Sequence, residues 1–249
     1  MPTTSVAIFF LLGTVIGSFL NVVALRSLSG ESILWPPSHC PLCGHRLAAR
    51  DLIPLVSYLA LRGRCRYCGG RISPQYPLVE AATGVVFAAL SVRYGMTVEF
   101  LRFAVFASTL IAVTVTDIKE MTVPYAPLVL AIAGMIVLKL IGGYGIEVLG
   151  DIVAAVIFVL GTALLCKWGS VGDGDVPVGA LIIITFNPKQ AVTVFIIAAV
   201  VGGIYGGILL VKDSQNRKRP IPLVPFLAAN SVVVAIWPVI AERLFWWWS

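Results

Sequence analysis

The residues best suited to chemistry in this chain are the aspartates of Gly172-Asp173-Gly174-Asp175 and a further aspartate, Asp117. Each set lies next to a long apolar run, and a charge near lipid is costly enough to be a functional candidate by default. The two glycines carry no Cβ, so backbone or substrate can approach Asp173 and Asp175 closely. These carboxylates are therefore the first candidates for a site.

Two carboxylates brought together can hydrolyse a peptide bond without a covalent intermediate. Because two like charges at close range cannot both ionise cheaply, the pair shares one proton. One carboxylate then activates a water as general base, while the other donates a hydrogen bond to the scissile carbonyl. The alternative is that each aspartate only ends a membrane helix. The Gly-x-Gly-Asp context and a second aspartate on the same membrane side favour the catalytic pair.

Four cysteines form a second set, in the one long polar segment of the chain, residues 26–76. They form two C-x2-C pairs with 21 residues between them: Cys40, Cys43, Cys65 and Cys68. Paired knuckles of this kind present four thiolates to a tetrahedral zinc ion, and a glycine after each second cysteine permits the tight turn. We predict a closed structural zinc site, with free or redox-active thiols as the alternative. His39 and His45 are interpreted as neighbours, because four cysteines complete the shell.

Composition decides the class of the elements that carry these residues. Of the 249 residues, 59% are apolar and 12% charged, against about 25% charged in soluble domains. We therefore predict an all-α polytopic membrane protein with about eight transmembrane helices and a small cytoplasmic four-cysteine module between helices 1 and 2. The apolar runs are 5–24, 77–95, 99–116, 124–142, 148–166, 176–187, 190–211 and 221–240.

The predicted domains follow from these runs. Residues 1–25 form the first transmembrane helix, residues 26–76 the cytoplasmic zinc-binding domain, and residues 77–249 the transmembrane aspartic peptidase domain. The run 176–187 is short for a full span, as expected of a helix that is broken or lowered at the turn before it.

Basic residues predict the orientation, because loops on the cytoplasmic side carry an excess of Lys and Arg. Loops after the odd-numbered runs hold thirteen basic residues and the other face holds five. This places Asp117, Asp173 and Asp175 at the cytoplasmic edge. Nucleic-acid binding is not favoured, because the arginines flank membrane runs and no RNA-binding motif accompanies them. The thirteen are Arg26, Arg46, Arg50, Arg62, Arg64, Arg66, Arg71, Lys119, Lys167, Lys212, Arg217, Lys218 and Arg219.

Several short motifs occur together in one order, and as a set they resemble the type IV prepilin peptidases, the GxGD-type leader peptidase/N-methyltransferases. The resemblance covers residues 10–230. Besides the two cysteine pairs, the motifs are Gly17-Ser18-Phe19-Leu20-Asn21-Val22-Val23, Leu61-Arg62-Gly63-Arg64-Cys65-Arg66, Ile72-Ser73-Pro74-Gln75-Tyr76-Pro77-Leu78-Val79-Glu80, Asp117 with Val123-Pro124, Gly172-Asp173-Gly174-Asp175, and Pro222-Leu223-Val224-Pro225-Phe226.

The resemblance implies an eight-helix aspartic protease of the bacterial inner membrane, associated with type IV pili or type II secretion. Such enzymes remove the leader of type IV prepilins or pseudopilins on the cytoplasmic side and then N-methylate the new N-terminus with S-adenosylmethionine. Asp117 and Asp175 match the catalytic pair, and the four cysteines match the zinc-binding domain. The residues that bind S-adenosylmethionine remain unknown; the region near Asn21 and Glu80 is a hypothesis.

Three positions depart from the family pattern. Asp173 fills a variable position that is usually apolar, Pro177 stands where Lys is frequent, and Tyr125 stands where Asn or Asp is common. None of them removes a catalytic group, but Asp173 adds a third carboxylate that repels its neighbours.

Three other functions share parts of this pattern. A presenilin-like intramembrane protease has Gly-x-Gly-Asp but lacks the four-cysteine loop. A proton-coupled transporter would use Asp117 and Asp175 as ion sites. A non-catalytic assembly factor would depend on the cysteines and tolerate loss of the aspartates. The sequence does not indicate an oligomeric state.

Overall fold

The computed structural model describes residues 3–166, 172–212 and 221–245, and helices make up most of this part of the chain. Of the basic residues used for orientation, Lys167 and residues 217–219 lie outside the described ranges. The helices are α1 (Thr3–Ser29), a 3-10 turn (Ala49–Asp51), α2 (Val56–Ala60), α3 (Gln75–Tyr94), α4 (Val98–Glu120), α5 (Tyr125–Ile141), α6 (Gly145–Cys166), α7 (Asp175–Thr185), α8 (Pro188–Lys212), α9 (Val224–Ile236) and α10 (Val239–Leu244).

Each of the first seven predicted apolar runs falls on one helix, and the run 221–240 covers α9 and the start of α10. The all-α polytopic class is confirmed. Within the described residues, five helices are long and apolar enough to cross a membrane: α1, α3, α4, α6 and α8. Three apolar helices are shorter, α5, α7 and α9, with 17, 11 and 13 residues. At about 1.5 Å per residue, α7 rises only about 16 Å, well short of the ~30 Å hydrocarbon layer. The number of eight spans stays a prediction.

The chain forms two compact units, Met1–Gly95 and Met96–Ser249. In the first unit, α1 and α3 pack closely because glycines line their contact. A Cβ at Gly13 would lie 2.7 Å from the Thr83 carbonyl oxygen, and one at Gly17 would lie 2.8 Å from the Glu80 Cα. Small residues are what allow helix backbones to approach inside a membrane. Helix α3, which we assigned to the peptidase domain, thus packs against the first helix.

The second unit is built around α7. This helix contacts α4, α5, α6, α8 and α9, and its Val178, Leu181 and Ile182 side chains are completely buried. Helices α6 and α8 are different, since only 11% of their apolar windows is buried within the protein. Their exposed aliphatic surface suits lipid, whereas α7 is shielded by its neighbours. The short helix that carries Asp175 is therefore the centre of this unit.

Candidate active site and metal cluster

Asp117 lies one turn before the end of α4, which stops at Met121 in the left-handed conformation with φ 51°. Its side chain is buried, and its Oδ2 accepts a hydrogen bond of 3.2 Å from the Val224 backbone N–H. Val224 is the first residue of α9, with Pro225 following it. The first N–H groups of a helix lack partners within the helix and favour a negative charge beside them. The start of α9 therefore supplies a hydrogen-bond donor to the Asp117 carboxylate.

Asp175 is the first residue of α7, and its backbone N–H donates to the Gly172 carbonyl at 3.0 Å. Its side chain is half-buried. Helix α7 contacts α4, and Gly174, the residue before Asp175, lies against Val123 just beyond the end of α4. The carboxylates of Asp117 and Asp175 are near enough for their charges to interact. The end of α4 and the start of α7 thus bring together the two aspartates that were predicted to form a pair.

The glycines of the motif have different surroundings. A Cβ added at Gly174 would lie 2.6 Å from Cγ2 and 2.8 Å from Cβ of Val123, a distance that real structures do not tolerate. A Cβ at Gly172 would lie 3.1 Å from Oδ2 and 3.8 Å from Cγ of Asp175. Position 174 therefore lacks a side chain so that α7 can begin against Val123 in the α4–α5 connection.

Asp173 is set apart from the pair. It lies exposed in the turn before α7, whereas Asp117 is buried and Asp175 half-buried. Tyr125 is also exposed, at 57%. The third carboxylate, that of Asp173, therefore lies on the surface next to the pair.

Two contacts of the site were not anticipated. The sequence analysis assigned no role to the Val224 N–H or the Val123 side chain, although both belonged to quoted motifs. A signal existed for the first contact, since a proline just inside a helix start marks free N–H groups nearby. Nothing in the sequence relates Val123 to Gly174, because only tertiary packing brings them together.

The four cysteines also converge, in the first unit. The Sγ atoms of Cys40, Cys43, Cys65 and Cys68 all lie within 4.8 Å of one another. The Sγ atoms of Cys40 and Cys68 are 4.0 Å apart. A tetrahedral zinc ion with Zn–S bonds of about 2.3 Å needs a distance of about 3.8 Å between its sulfur ligands. The donor set and its spacing fit a metal ion.

Both knuckles have the same backbone conformation and the same pattern of backbone hydrogen bonds. The N–H of Cys40 donates to the carbonyl of His45 at 3.0 Å, and the N–H of Cys65 donates to that of Gly70 at 2.8 Å. The glycine after each second cysteine, Gly44 or Gly69, has a φ near 70° that only glycine adopts without strain. The predicted role of these glycines is confirmed by their conformation.

The segment between the knuckles is tied to the second one through Asp51. Its carboxylate accepts from Arg66 Nε at 2.6 Å and from the Tyr67 hydroxyl at 3.0 Å. The hydrogen bond from the Arg66 guanidinium is the largest influence that holds the pKa of Asp51 below its usual range. The ring of Tyr67 contacts that of His45 at a tilt of 31°, with centroids 3.6 Å apart. His45 thus joins the two knuckles by ring contact.

Asn21 and Glu80, the suggested surroundings of S-adenosylmethionine, are engaged in the first unit. The Asn21 amide donates to the carbonyls of Gly17 and Tyr76 at 3.2 and 3.3 Å. Glu80 accepts from the backbone N–H of Leu55 at 2.8 Å, beside a positive φ of 61° at that residue. These bonds connect α1, α3 and the cysteine segment.

A multi-pass helical protein in which two aspartates meet at helix ends has the arrangement that a membrane aspartic peptidase requires. The family model "Bacterial Peptidase A24 N-terminal domain" matches residues 11–94. The model "Type IV leader peptidase family" matches residues 104–207.

Relatives lead to the same family. A prepilin leader peptidase/N-methyltransferase of Bacillus subtilis is 32% identical over 232 residues, which cover 93% of this chain and 94% of that protein. One of Aeromonas salmonicida is 30% identical over 95% of this chain and 92% of its own length. One of Myxococcus xanthus is 48% identical over 46% of this chain and 34% of its length. No solved structure matches the chain significantly.

The chain therefore belongs to the type IV leader peptidase family. The family predicted from the ordered motifs is confirmed, and the presenilin-like and transporter alternatives are not favoured.

Proposed function

We propose that this protein is a membrane aspartic endopeptidase that removes the leader from type IV prepilins or pseudopilins and N-methylates the new N-terminal residue. The observation that carries the peptidase is the meeting of Asp117 and Asp175 at one end of the second unit. Named relatives that span almost the whole chain support both activities. The methyltransferase rests on those names and on the sequence resemblance.

The two aspartates have distinct roles in this proposal. Asp117 accepts a hydrogen bond from the Val224 N–H at the start of α9. This bond favours the charged form of Asp117, which suits the general base that activates water. Because a charged Asp175 would repel the charge on Asp117, Asp175 is the member that holds the shared proton. It donates a hydrogen bond to the scissile carbonyl, and the pair then returns a proton to the leaving amine.

The cleavage site lies at the cytoplasmic face of the bacterial inner membrane in this proposal. The apolar helix of the prepilin lies in the bilayer, and its leader remains in the cytoplasm. Exposed Asp173 and Glu120 extend the acidic edge beyond the catalytic pair. This edge attracts a basic leader by simple charge complementarity.

The cysteine cluster has a structural role in the proposed enzyme. Cys40, Cys43, Cys65 and Cys68 would hold one Zn²⁺, whose four thiolate ligands leave no open position for a catalytic water. S-adenosylmethionine is the methyl donor, and its binding residues are not assigned.

The test is cleavage of a purified model prepilin in detergent, followed by mass spectrometry of the product's N-terminus. Asp117→Asn and Asp175→Asn should each lower kcat by roughly 10²–10⁴, because each removes a group that moves a proton in the reaction. A product heavier by one methyl group would support the transferase.

Asp173→Asn is the matched control, since it makes the same chemical change two residues from Asp175 at an exposed position. Its kcat should stay within a few-fold of wild type, and the loss of one exposed charge from the acidic edge should appear only in KM. If Asp173→Asn is inactive while Asp175→Asn still cleaves, the assignment within the motif is wrong. Normal cleavage by all three variants would place the site elsewhere, and activity that depends only on the cysteines would favour an assembly factor.

A further inference from the structure

A second group of charged and polar residues, two buried and three half-buried, lies in the second unit away from the aspartates. Arg102 near the start of α4 is 3% exposed, and its Nη1 contacts both carboxylate oxygens of Glu99, at 2.6 and 2.8 Å. The hydroxyl of Tyr144 donates to Glu99 at 2.8 Å. Lys139 and Asp151 form a further ion pair. We call these five residues the Arg102 cluster.

Arg102 also reaches α7. Its Nη2 donates to the backbone carbonyl of Thr185, the last residue of that helix, at 2.9 Å. The last carbonyls of a helix lack partners within the helix, and a positive charge there is favoured by the helix dipole. Arg102 therefore caps α7 at the end opposite Asp175. The rings of Phe103 and Phe106 pack on Phe186, which adds apolar contact at the same place.

Helices α4 and α7 are thus joined at both ends. The start of α4 holds the end of α7 through Arg102, while the end of α4 brings Asp117 to the start of α7. The rise is about 22 Å from residue 102 to residue 117 and about 15 Å from residue 175 to residue 185. A long side chain at position 102 suits this difference in length between the two helical segments.

Stability alone does not account for a buried ion pair, since well-packed apolar residues are often as stable or more so. Fixing one arrangement of neighbouring elements is the better-supported use of such pairs. Here the arrangement at stake is the depth and rotation of an eleven-residue helix that carries Asp175 at its first position.

We infer that Arg102 is a positioning residue for the proposed peptidase: by capping α7 at Thr185, it sets where Asp175 meets Asp117. The inference rests on the proposed function, because it assumes that these two aspartates are the reacting pair. Misplacement of a reacting group by about 1 Å can cost about 10²-fold in rate, so a small shift of α7 is enough to be measured.

The main variant is Glu99→Gln/Arg102→Met, which removes the cap without leaving an unpaired charge. We expect kcat for prepilin cleavage to fall roughly 10- to 100-fold, with KM within a few-fold of wild type. The pH–rate profile should also change shape, since the repulsion between the carboxylates depends on their separation. Arg102→Lys keeps a long donor and should restore most of kcat.

Lys139→Met/Asp151→Asn is the matched control, because it removes a buried ion pair of the same cluster that has no bond to α7. It should keep the wild-type kcat and pH profile even if its thermal stability falls by as much as that of the main variant. If the main variant does not fold, Glu99→Gln/Arg102→Gln replaces it, since glutamine retains a polar partner within α4 but is too short to reach Thr185.

Three results would overturn the inference: wild-type kcat in the capping variants, an equal loss in the control, or no recovery with lysine. Asp175→Asn, measured in the same assay, separates this failure from that of the proposed function. If Asp175→Asn is inactive while the capping variants retain full kcat, only the role of Arg102 is wrong. If Asp175→Asn cleaves normally, the catalytic pair itself is wrong.

Discussion

The cysteine cluster and the aspartate pair are built in opposite ways. Each cysteine knuckle closes through bonds between residues no more than five positions apart, such as Cys40 with His45. The aspartate pair instead joins the end of α4, the start of α7 and the start of α9, with a hydrogen bond that spans 107 residues. One site is formed by local turns and the other by the packing of helices.

This difference determines what holds each site together. A metal ion that binds four thiolates supplies folding free energy directly, since the unfolded segment does not present its ligands together. The aspartates repel each other, and only the surrounding helices keep them close. Changes in packing should therefore disturb the aspartate pair, whereas loss of metal should disturb the cysteine module.

The largest expected effect concerns the aspartates as a unit. Each single variant should lower kcat by roughly 10²–10⁴. The double variant Asp117→Asn/Asp175→Asn should be no less active than the less active of the two single variants. Once one member is absent, the shared-proton mechanism is already abolished, so the second substitution removes little more. Single-turnover cleavage of prepilin by the three variants measures this directly. Losses that multiply would show that the residues act independently.

The sequence was sufficient for the cysteine module because every determining contact lies within its own motif. The spacing of Cys40, Cys43, Cys65 and Cys68 and the glycine after each pair already specify two knuckles. The convergence of Asp117 and Asp175 was predicted less directly, by placing two apolar runs on the same membrane side. Neither argument reaches Val123 beside Gly174 or Arg102 beside Thr185, because tertiary packing alone creates those contacts.

Arg102 shows most plainly why such contacts escape a reading of the sequence. Charge counting placed Arg102 and Lys139 on the face opposite the cytoplasm, as two of the five basic residues assigned there. The structure buries both, in α4 and α5, with acidic partners. A buried and an exposed charge look alike in a sequence, since burial depends on partners brought from other helices.

Metal removal is the second test of the comparison. A strong chelator should abolish protection from hydrogen exchange across residues 40–70, while α4 keeps its slow exchange. The reason is that the knuckles have few apolar contacts of their own and depend on the bound ion. Exchange measured by mass spectrometry, with metal content determined on the same sample, checks both statements.

Restoring zinc should restore protection from exchange. The variant Cys40→Ser should lose this protection even when no chelator is added. If the segment stays protected after complete loss of metal, the knuckles are stable by themselves and the proposed structural role of zinc is wrong.

A smaller effect should follow from filling the glycines of the aspartate turn. Gly174→Ala introduces a Cβ at 2.6 Å from Val123, whereas Gly172→Ala places one 3.1 Å from a carboxylate oxygen that can move. Overpacking of this kind costs about 1–3 kcal/mol, and here it displaces the start of α7. We therefore expect Gly174→Ala to lower kcat about tenfold or more, and Gly172→Ala to have the weaker effect. Steady-state kinetics on both variants decides the order, and the reverse order would contradict the contact with Val123.

The smallest effect belongs to Asp51, the carboxylate that joins the cysteine segment to Arg66 and Tyr67. Its pKa is lower in the folded protein than its unfolded value of about 3.9. The stabilisation is therefore complete above that unfolded value and is lost as the pH falls through the folded pKa. At neutral pH, Asp51→Asn should release zinc to a chelator only slightly faster than wild type, because an ion pair whose arginine is exposed contributes little.

The difference between the two proteins should begin to shrink below about pH 4 and should vanish once the pH falls below the lowered folded pKa, where the wild-type carboxylate is protonated as well. Protonation of the thiolates weakens metal binding in both proteins, so the comparison between them isolates Asp51. Arg66→Gln is the control: combined with Asp51→Asn, it should add little to the rate of zinc release. A difference that grows on acidification would mean that Asp51 acts on the cluster by some other route than its bond to Arg66.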